Sequence, residues 1–313
     1  MTVRIVTDST ADIPPEIARE LDITVVPCYV NMRGKSYRDG IDITPSELYR
    51  NMEEYDVNIT TSQPPPGDFV QVYESILKEA DDIVSIQCAS SLSGIYQSAL
   101  HGRDLVGGKG HIEVIDSGMT SMGLGIIAIA AARLAKTGAS LASVMDETST
   151  AASQSYAWGI FDTLKYAFRG GRLGKIKSLI GNILPVKPML TLKNGSLRPT
   201  GVVRTRAKGI DKLLDNVRKF KNIHDFGIVH SSAQDDAQKL RAKLSALVDK
   251  SRIYISQLGP GIGVHGGPGV LILSMRASDI PKKAADLELE KTRKNMPQMP
   301  SFQPPKLNTA PLF

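Results

Sequence analysis

Along the first 120 positions, short apolar runs alternate with segments of helical period, and each run ends in a turn rich in hydroxyl or acidic residues. Arg4-Ile5-Val6-Thr7 reads as a strand closing at Asp8-Ser9-Thr10, and Pro14 to Leu21 as a helix with proline in its first turn. Ile23 to Val30 is a second apolar strand, and Thr44-Pro45-Ser46-Glu47 is a helix start of the capping-box type. Asn58 to Gln63 meets Pro64-Pro65-Pro66-Gly67-Asp68, which opens a helix through Phe69 to Ala80. A strand over 83–88, the turn Ser90-Ser91-Leu92-Ser93-Gly94, a helix from Ile95 and a strand Ile112 to Ile115 before Asp116-Ser117 complete the series. Such alternation predicts a parallel sheet with helices on both faces. Ligands of such sheets sit beyond the carboxyl ends of the strands, where the loops at Asp8, Ser90 and Asp116 gather.

The pattern changes near residue 150. Gly123 to Ala132 is a small-apolar stretch that reads as a buried helix, followed by a helix over Ser140 to Ser149. Tyr156 to Ile160, Lys187 to Leu192 and Ser196 to Pro199 read as strands, the last two flanking the hairpin signal Lys193-Asn194-Gly195. Helices at about 207–220 and 234–249 alternate with strands Phe226 to His230 and Arg252 to Gln257, and Val270 to Met275 is the last strand. The expectation is therefore two domains, an α/β domain over 1–150 and an α+β domain with a mixed sheet over 151–276. An extension over 277–313 has too few periodic apolar residues at its end to pack alone, and is expected to be mobile or to rest on the surface.

Composition excludes several classes. At 42% hydrophobic and 22% charged residues the chain reads as a soluble globular protein, and no apolar run reaches the roughly 18 residues of a membrane span. The strand that starts at Val3 leaves no room for a signal peptide, so a cytoplasmic location is expected. Cys28 and Cys88 lack ligand or disulfide spacing and read as core residues, with no metal site indicated. Net charge is +6, but from Lys165 to Lys221 there are 15 Lys and Arg against the two acids Asp211 and Asp215. Aromatic residues are only 5%, too few for stacking platforms, so this basic stretch suits an acidic or phosphate-bearing partner better than nucleic acid.

Three features carry candidate chemistry. The serine turn at Ser90 to Gly94, between a strand and a helix start, is either an ordinary cap or an anion site built from helix N–H groups and rotatable hydroxyls. Asp8 and Asp116 at strand ends are either turn-capping residues or the acids of a metal-dependent hydrolase or phosphotransferase. Gly261-Ile262-Gly263-Val264-His265-Gly266 matches the letters of a dinucleotide fingerprint, yet a strand follows it and no acid stands some 20 residues on in a βαβ context, which rejects nucleotide binding.

Five segments together resemble the DegV family, the bacterial fatty-acid-binding proteins that include the binding subunit of fatty acid kinase. They are Val6 to Asp12; Thr61-Ser62-Gln63-Pro64; Ser90 to Gly94; Gly170-Gly171-Arg172-Leu173 with Gly181-Asn182 and Lys187-Pro188; and His265-Gly266-Gly267-Pro268-Gly269. The resemblance spans roughly residues 3–275, and it departs at Ile95, where a small hydroxyl residue is commoner. It implies a non-catalytic carrier with no cofactor, which buries a long-chain fatty acid in a tunnel and presents its carboxylate to a separate ATP-dependent kinase. By the same resemblance the carboxylate is held by Thr61, Ser62, Ser93, Gly94, Arg172 and His265. Arg172, beside two glycines, also has the simpler reading of a residue covering a turn. Burying a palmitoyl-sized chain would supply on the order of 10 kcal/mol at about 0.8 kcal/mol per methylene, so the head group needs only to avoid being stranded without partners. The basic stretch, with Arg204 and Arg206, is the expected kinase-docking face.

Overall fold

A computed structural model describes residues 2–54, 58–107, 110–172 and 186–278. The first strand, β1 (Val3–Asp8), ends in a 3-10 turn over Ser9–Ala11, and α1 (Pro15–Glu20) and β2 (Ile23–Val26) follow. The apolar run expected to continue to Val30 breaks here. Pro27 has no N–H to offer a ladder, and the Cys28 N–H is taken by the Ser9 hydroxyl at 3.0 Å. The chain therefore leaves the first sheet and forms β3 (Tyr29–Met32) and β4 (Lys35–Arg38). Helix α2 (Pro45–Glu54) starts at the expected capping box, with Glu47 accepting the Thr44 N–H at 2.9 Å and Thr44 Oγ1 accepting the Glu47 N–H at 3.3 Å. Strand β5 (Thr60–Ser62) joins β4 and β3 in a three-stranded antiparallel sheet of order β4-β3-β5. Helix α3 (Pro66–Ile76) begins at its prolines and stops short of the Ala80 expected from periodicity.

Strand β6 (Asp82–Gln87), helix α4 (Ile95–Val106) and strand β7 (His111–Asp116) complete a four-stranded parallel sheet of order β2-β1-β6-β7. Helix α5 (Met122–Ala135) is buried at every position from Met122 to Ala132, as its small apolar residues allow. It packs against β1 and β6 on one side and against strands of the second sheet on the other. Helix α6 (Leu141–Ser153) extends past residue 150, so the change of sheet comes at Gln154.

The second sheet is mixed, with order β10-β9-β8-β13-β11-β12. Its strands are β8 (Ser155–Ile160), β9 (Lys187–Lys193), β10 (Ser196–Val203), β11 (Ile223–His230), β12 (Ile253–Gln257) and β13 (Leu271–Ala277), and only β11 and β12 pair in parallel. The fold is thus α/β with a parallel sheet in the first part and a mixed sheet in the second. The hairpin between β9 and β10 turns on Asn194 (φ 48°) and Gly195 (φ 72°), the two positive φ values that a two-residue type I′ turn demands. Helices α7 (Lys165–Arg169), α8 (Arg206–Val217), α9 (Gln234–Leu244) and α10 (Pro260–Gly266) fill the connections. Leu173, Gly181, Asn182 and the extension beyond Ser278 lie outside the described residues. No helix among the described residues is long and apolar enough to cross a membrane.

Candidate functional site

The stretch around His265, whose letters match a dinucleotide fingerprint, is the short helix α10, with His265 in its last turn. Its ring Nε2 lies 2.8 Å from Thr61 Oγ1 on β5, a pairing across 204 positions of sequence. Ring Nδ1 is buried and meets no partner. A proton there would be stranded, so the imidazole proton belongs on Nε2, where it is donated to Thr61. Thr61 then keeps its own O–H free to donate elsewhere. Burial, and then the nearby Arg172, pushes the His265 pKa down to about 4, so the ring is neutral at physiological pH.

Each residue of the Gly-Gly-Arg motif has a separate geometric task. Gly170 and Gly171 end α7 in a Schellman arrangement, with Arg172 N–H donating to Ala167 O at 3.1 Å and Gly171 N–H to Phe168 O at 3.0 Å. Gly171 takes the left-handed φ of 72° that this cap needs. A Cβ on Gly170 would stand 2.1 Å from His265 Nδ1, so the imidazole occupies the space that a side chain would fill. Arg172, tied to Gly170 O by its guanidinium at 2.5 Å, turns back over the same place.

Thr61, His265 and Arg172 share one cavity of about 210 Å³ with Lys165, Arg169, Met52, Ile59, Tyr166 and Val264. Lys165, Arg169 and Arg172 line it, and its described lining residues include no carboxylate. A larger, open groove of about 750 Å³ runs past Arg50, Asp162, Arg206, Asp235 and Asp236. There acids match bases, and Arg206 is engaged by Asp236 at 2.8 Å and Asp162 at 3.2 Å. The smaller cavity is the one in which bases stand beside apolar residues.

The other expected site residues lie apart from it. Ser62 follows Thr61 on a strand and so faces the opposite way, its hydroxyl accepting from Asn31 Nδ2 at 3.2 Å. Ser93 Oγ accepts the Ile95 N–H at 3.4 Å, a cap-like contact at the start of α4. Gly94 leaves room for Gln63, whose Oε1 would be 2.2 Å from a Cβ at that position. The serine turn therefore reaches the Thr61 strand through Gln63 and does not line the cavity itself. It is braced from behind: Ser90 N–H donates to Asp116 at 3.2 Å, and Ser91 Oγ donates to Gly195 O.

Asp8 is fully buried and holds loops, accepting the Thr10 N–H at 2.9 Å and the Cys88 N–H at 2.8 Å. Together with Asp116 on the serine turn, it fits the turn-capping reading. Sequence reading missed two further buried carboxyls, Asp12 and Asp39, which burial raises to about 8 and about 6. Asp8 is also raised by burial. A carboxyl raised in the folded state binds protons on folding, so its stabilisation is complete below about pH 3.8 and is lost as pH rises through the folded value. His265 has the opposite sign, losing stability as pH falls from about 6.5 through 4. Between pH 6.5 and 8 the Asp12 contribution therefore remains without the opposing one. Urea unfolding is expected to show stability falling across that window, with a shallower slope in Asp12→Asn; an unchanged slope would place the buried proton elsewhere.

The DegV family model, described as "Uncharacterised protein, DegV family", matches residues 2–277. The chain belongs to the DegV family. A DegV domain-containing protein of Caldanaerobacter subterraneus subsp. tengcongensis is 38% identical over 270 residues, covering 85% of this chain and 95% of that protein. Among solved structures, the fatty-acid-binding DegV family protein from Thermus thermophilus superposes with a TM-score of 0.82 at 33% identity, covering 88% of this chain and 100% of that one. DegV from Bacillus subtilis, a fatty acid binding protein, gives 0.80 at 30% identity, over 88% and 99% of the two chains.

Proposed function

We propose that this DegV chain is a non-catalytic carrier that holds a long-chain fatty acid with its carboxylate in the cavity at Thr61, His265 and Arg172. The observation that carries this reading is the meeting of Thr61, His265 and Arg172 in that one cavity, beside the apolar Met52, Ile59 and Val264. A carboxylate there gains the freed Thr61 hydroxyl as donor and a guanidinium as charge partner, which offsets its desolvation. The fatty-acid-binding relatives point the same way.

The Thr61–His265 contact has the outline of a nucleophile–base pair, but its chemistry argues for a holder. No group orients His265 Nδ1, and a ring whose pKa is near 4 is a weak base at neutral pH. Phosphorylation of the carboxylate then falls to a separate ATP-dependent kinase that docks on the basic second part. Within that face Arg206 is committed to Asp162 and Asp236, which leaves the exposed Arg204 as the better docking candidate. Solvent extraction of the purified protein followed by mass spectrometry should recover a long-chain fatty acid. The delipidated protein should take up oleate at about one equivalent and yield acyl phosphate when a fatty acid kinase and ATP are added. Absence of both bound lipid and oleate uptake would refute the carrier reading.

A further inference from the structure

Helix α10 is seven residues long and reads Pro-Gly-Ile-Gly-Val-His-Gly. Glycine costs about 1 kcal/mol per helical position relative to alanine, and so short a helix is not stable by propensity. Its place must be imposed from outside, and the imposing groups can be named. The N-cap residue Gly259 has no side chain, and its N–H is taken instead by Asp12 Oδ1 at 2.8 Å. The Gly261 N–H, in the first turn, is taken by Asp39 Oδ2 at 3.0 Å. Two carboxyls remote in sequence thus perform the task of a local cap.

The fit is steric as well as polar. A Cβ at 259 would stand 2.9 Å from Asp12 Oδ1, and one at 261 would stand 2.7 Å from Asp39 Oδ2. Each carboxyl is itself steered. Ser121 Oγ donates to Asp12 Oδ2 at 2.6 Å, and Ser9 Oγ donates to Asp39 Oδ2 at 2.7 Å. Ser121 does so from a φ of 54° and ψ of −155°, a conformation costly for any residue with a side chain. Asp12 and Asp39 are only 7% and 5% exposed, and burying them costs stability that an apolar pair would not. Strain and buried acid converge on the end of the one helix that carries His265.

We propose that Asp12 and Asp39 are positioning residues that set the depth and rotation of α10, and through it the meeting of His265 with Thr61. This rests on the reading of that pair as part of the carboxylate site. Neither acid lines the cavity, and about six residues of helix at 1.5 Å each separate their contacts from His265. A clamp whose support slackens by an ångström loses much of its effect.

The test uses the full chain, ¹⁵N-labelled at histidine, with oleate as probe. In Asp12→Ala and Asp39→Ala the oleate affinity is expected to fall at least tenfold, and the His265 ring ¹⁵N signals to move away from those of an Nε2-protonated imidazole. Asp12→Asn and Asp39→Asn, which keep an acceptor for each helix N–H, are expected to recover affinity to within about threefold of the parent. Should the alanine variants fail to fold, Ser9→Ala and Ser121→Ala, which remove only the steering hydroxyls, are expected to lose affinity three- to tenfold with the same ring signature. Folded variants with unmoved ring signals and parental oleate affinity would overturn the proposal, as would asparagine variants no better than alanine. If the parent protein takes no oleate, the carrier reading fails, while the ring signals still decide whether the two acids position His265.

Discussion

Alanine at position 170 is expected to weaken oleate binding sharply while leaving the chain folded. Gly170 has a right-handed helical φ of −75°, so the backbone accepts alanine there without strain. What cannot stay is the imidazole. The new Cβ would lie 2.1 Å from His265 Nδ1 and 2.7 Å from Cε1, and the ring must move, breaking its 2.8 Å contact with Thr61. Loss of one donor and displacement of its neighbour predict oleate binding weaker by about 10- to 100-fold, or roughly 1.4 to 2.8 kcal/mol. Displacement of a fluorescent fatty acid measures this, and thermal unfolding within a few degrees of the parent confirms that the fold survives. Gly171→Ala is the control. Nothing lies within 4 Å of its Cβ, but its φ of 72° is wrong for alanine, so it should cost about 1 kcal/mol of stability and little affinity. Equal losses from the two variants would show that the cap, and not the ring, sets affinity.

The largest expected loss of stability lies at Arg133. This residue of α5 reaches into the second sheet to Asp225, which is 2% exposed, at 3.0 Å, and it also donates to the Tyr254 hydroxyl. Removing one member of a buried pair strands the other charge, at a cost of about 3 to 5 kcal/mol. Arg252 remains 3.3 Å from Asp225, which places Arg133→Met toward the lower end of that range. Urea denaturation of Arg133→Met should show a lower midpoint, and adding Asp225→Asn should restore part of it, because the stranded charge is gone. No recovery in the double variant would locate the loss in the packing of the arginine stem.

Local signals in the chain foretold most of the elements. The capping box at Thr44, the Asn194-Gly195 turn and the small-apolar helix over Gly123 to Ala132 each act within a few residues, where propensity and hydrogen bonding are local. The strand expected to run through Val30 failed at Pro27, because continuous hydrophobicity does not reveal which sheet a strand joins. Helix α10 was illegible for a different reason. Its glycines argue against a helix, and the groups that cap it, Asp12 and Asp39, stand more than 200 residues away. At the site, motif order brought Thr61, Arg172 and His265 onto one list, but alternation on β5 turned Ser62 away, and the serine turn, with Gln63 packed at Gly94, stands outside the cavity lining. Only the packing could decide which hydroxyls share a face.

The tip of the hairpin between β9 and β10 bears on how fast a ligand can come and go. Gly195 accepts from the Ser91 hydroxyl and donates its N–H to Gly118 O at 2.9 Å, so the serine turn is clasped to the opposite sheet. The ordering entropy of that loop is incurred when the protein folds and not when a ligand arrives. A gate cannot sit there without breaking the clasp, so ligand exchange should be insensitive to substitutions that soften the serine turn from its solvent side. Residence time would then be set at the cavity itself, where α7 ends and Arg172 stands with His265.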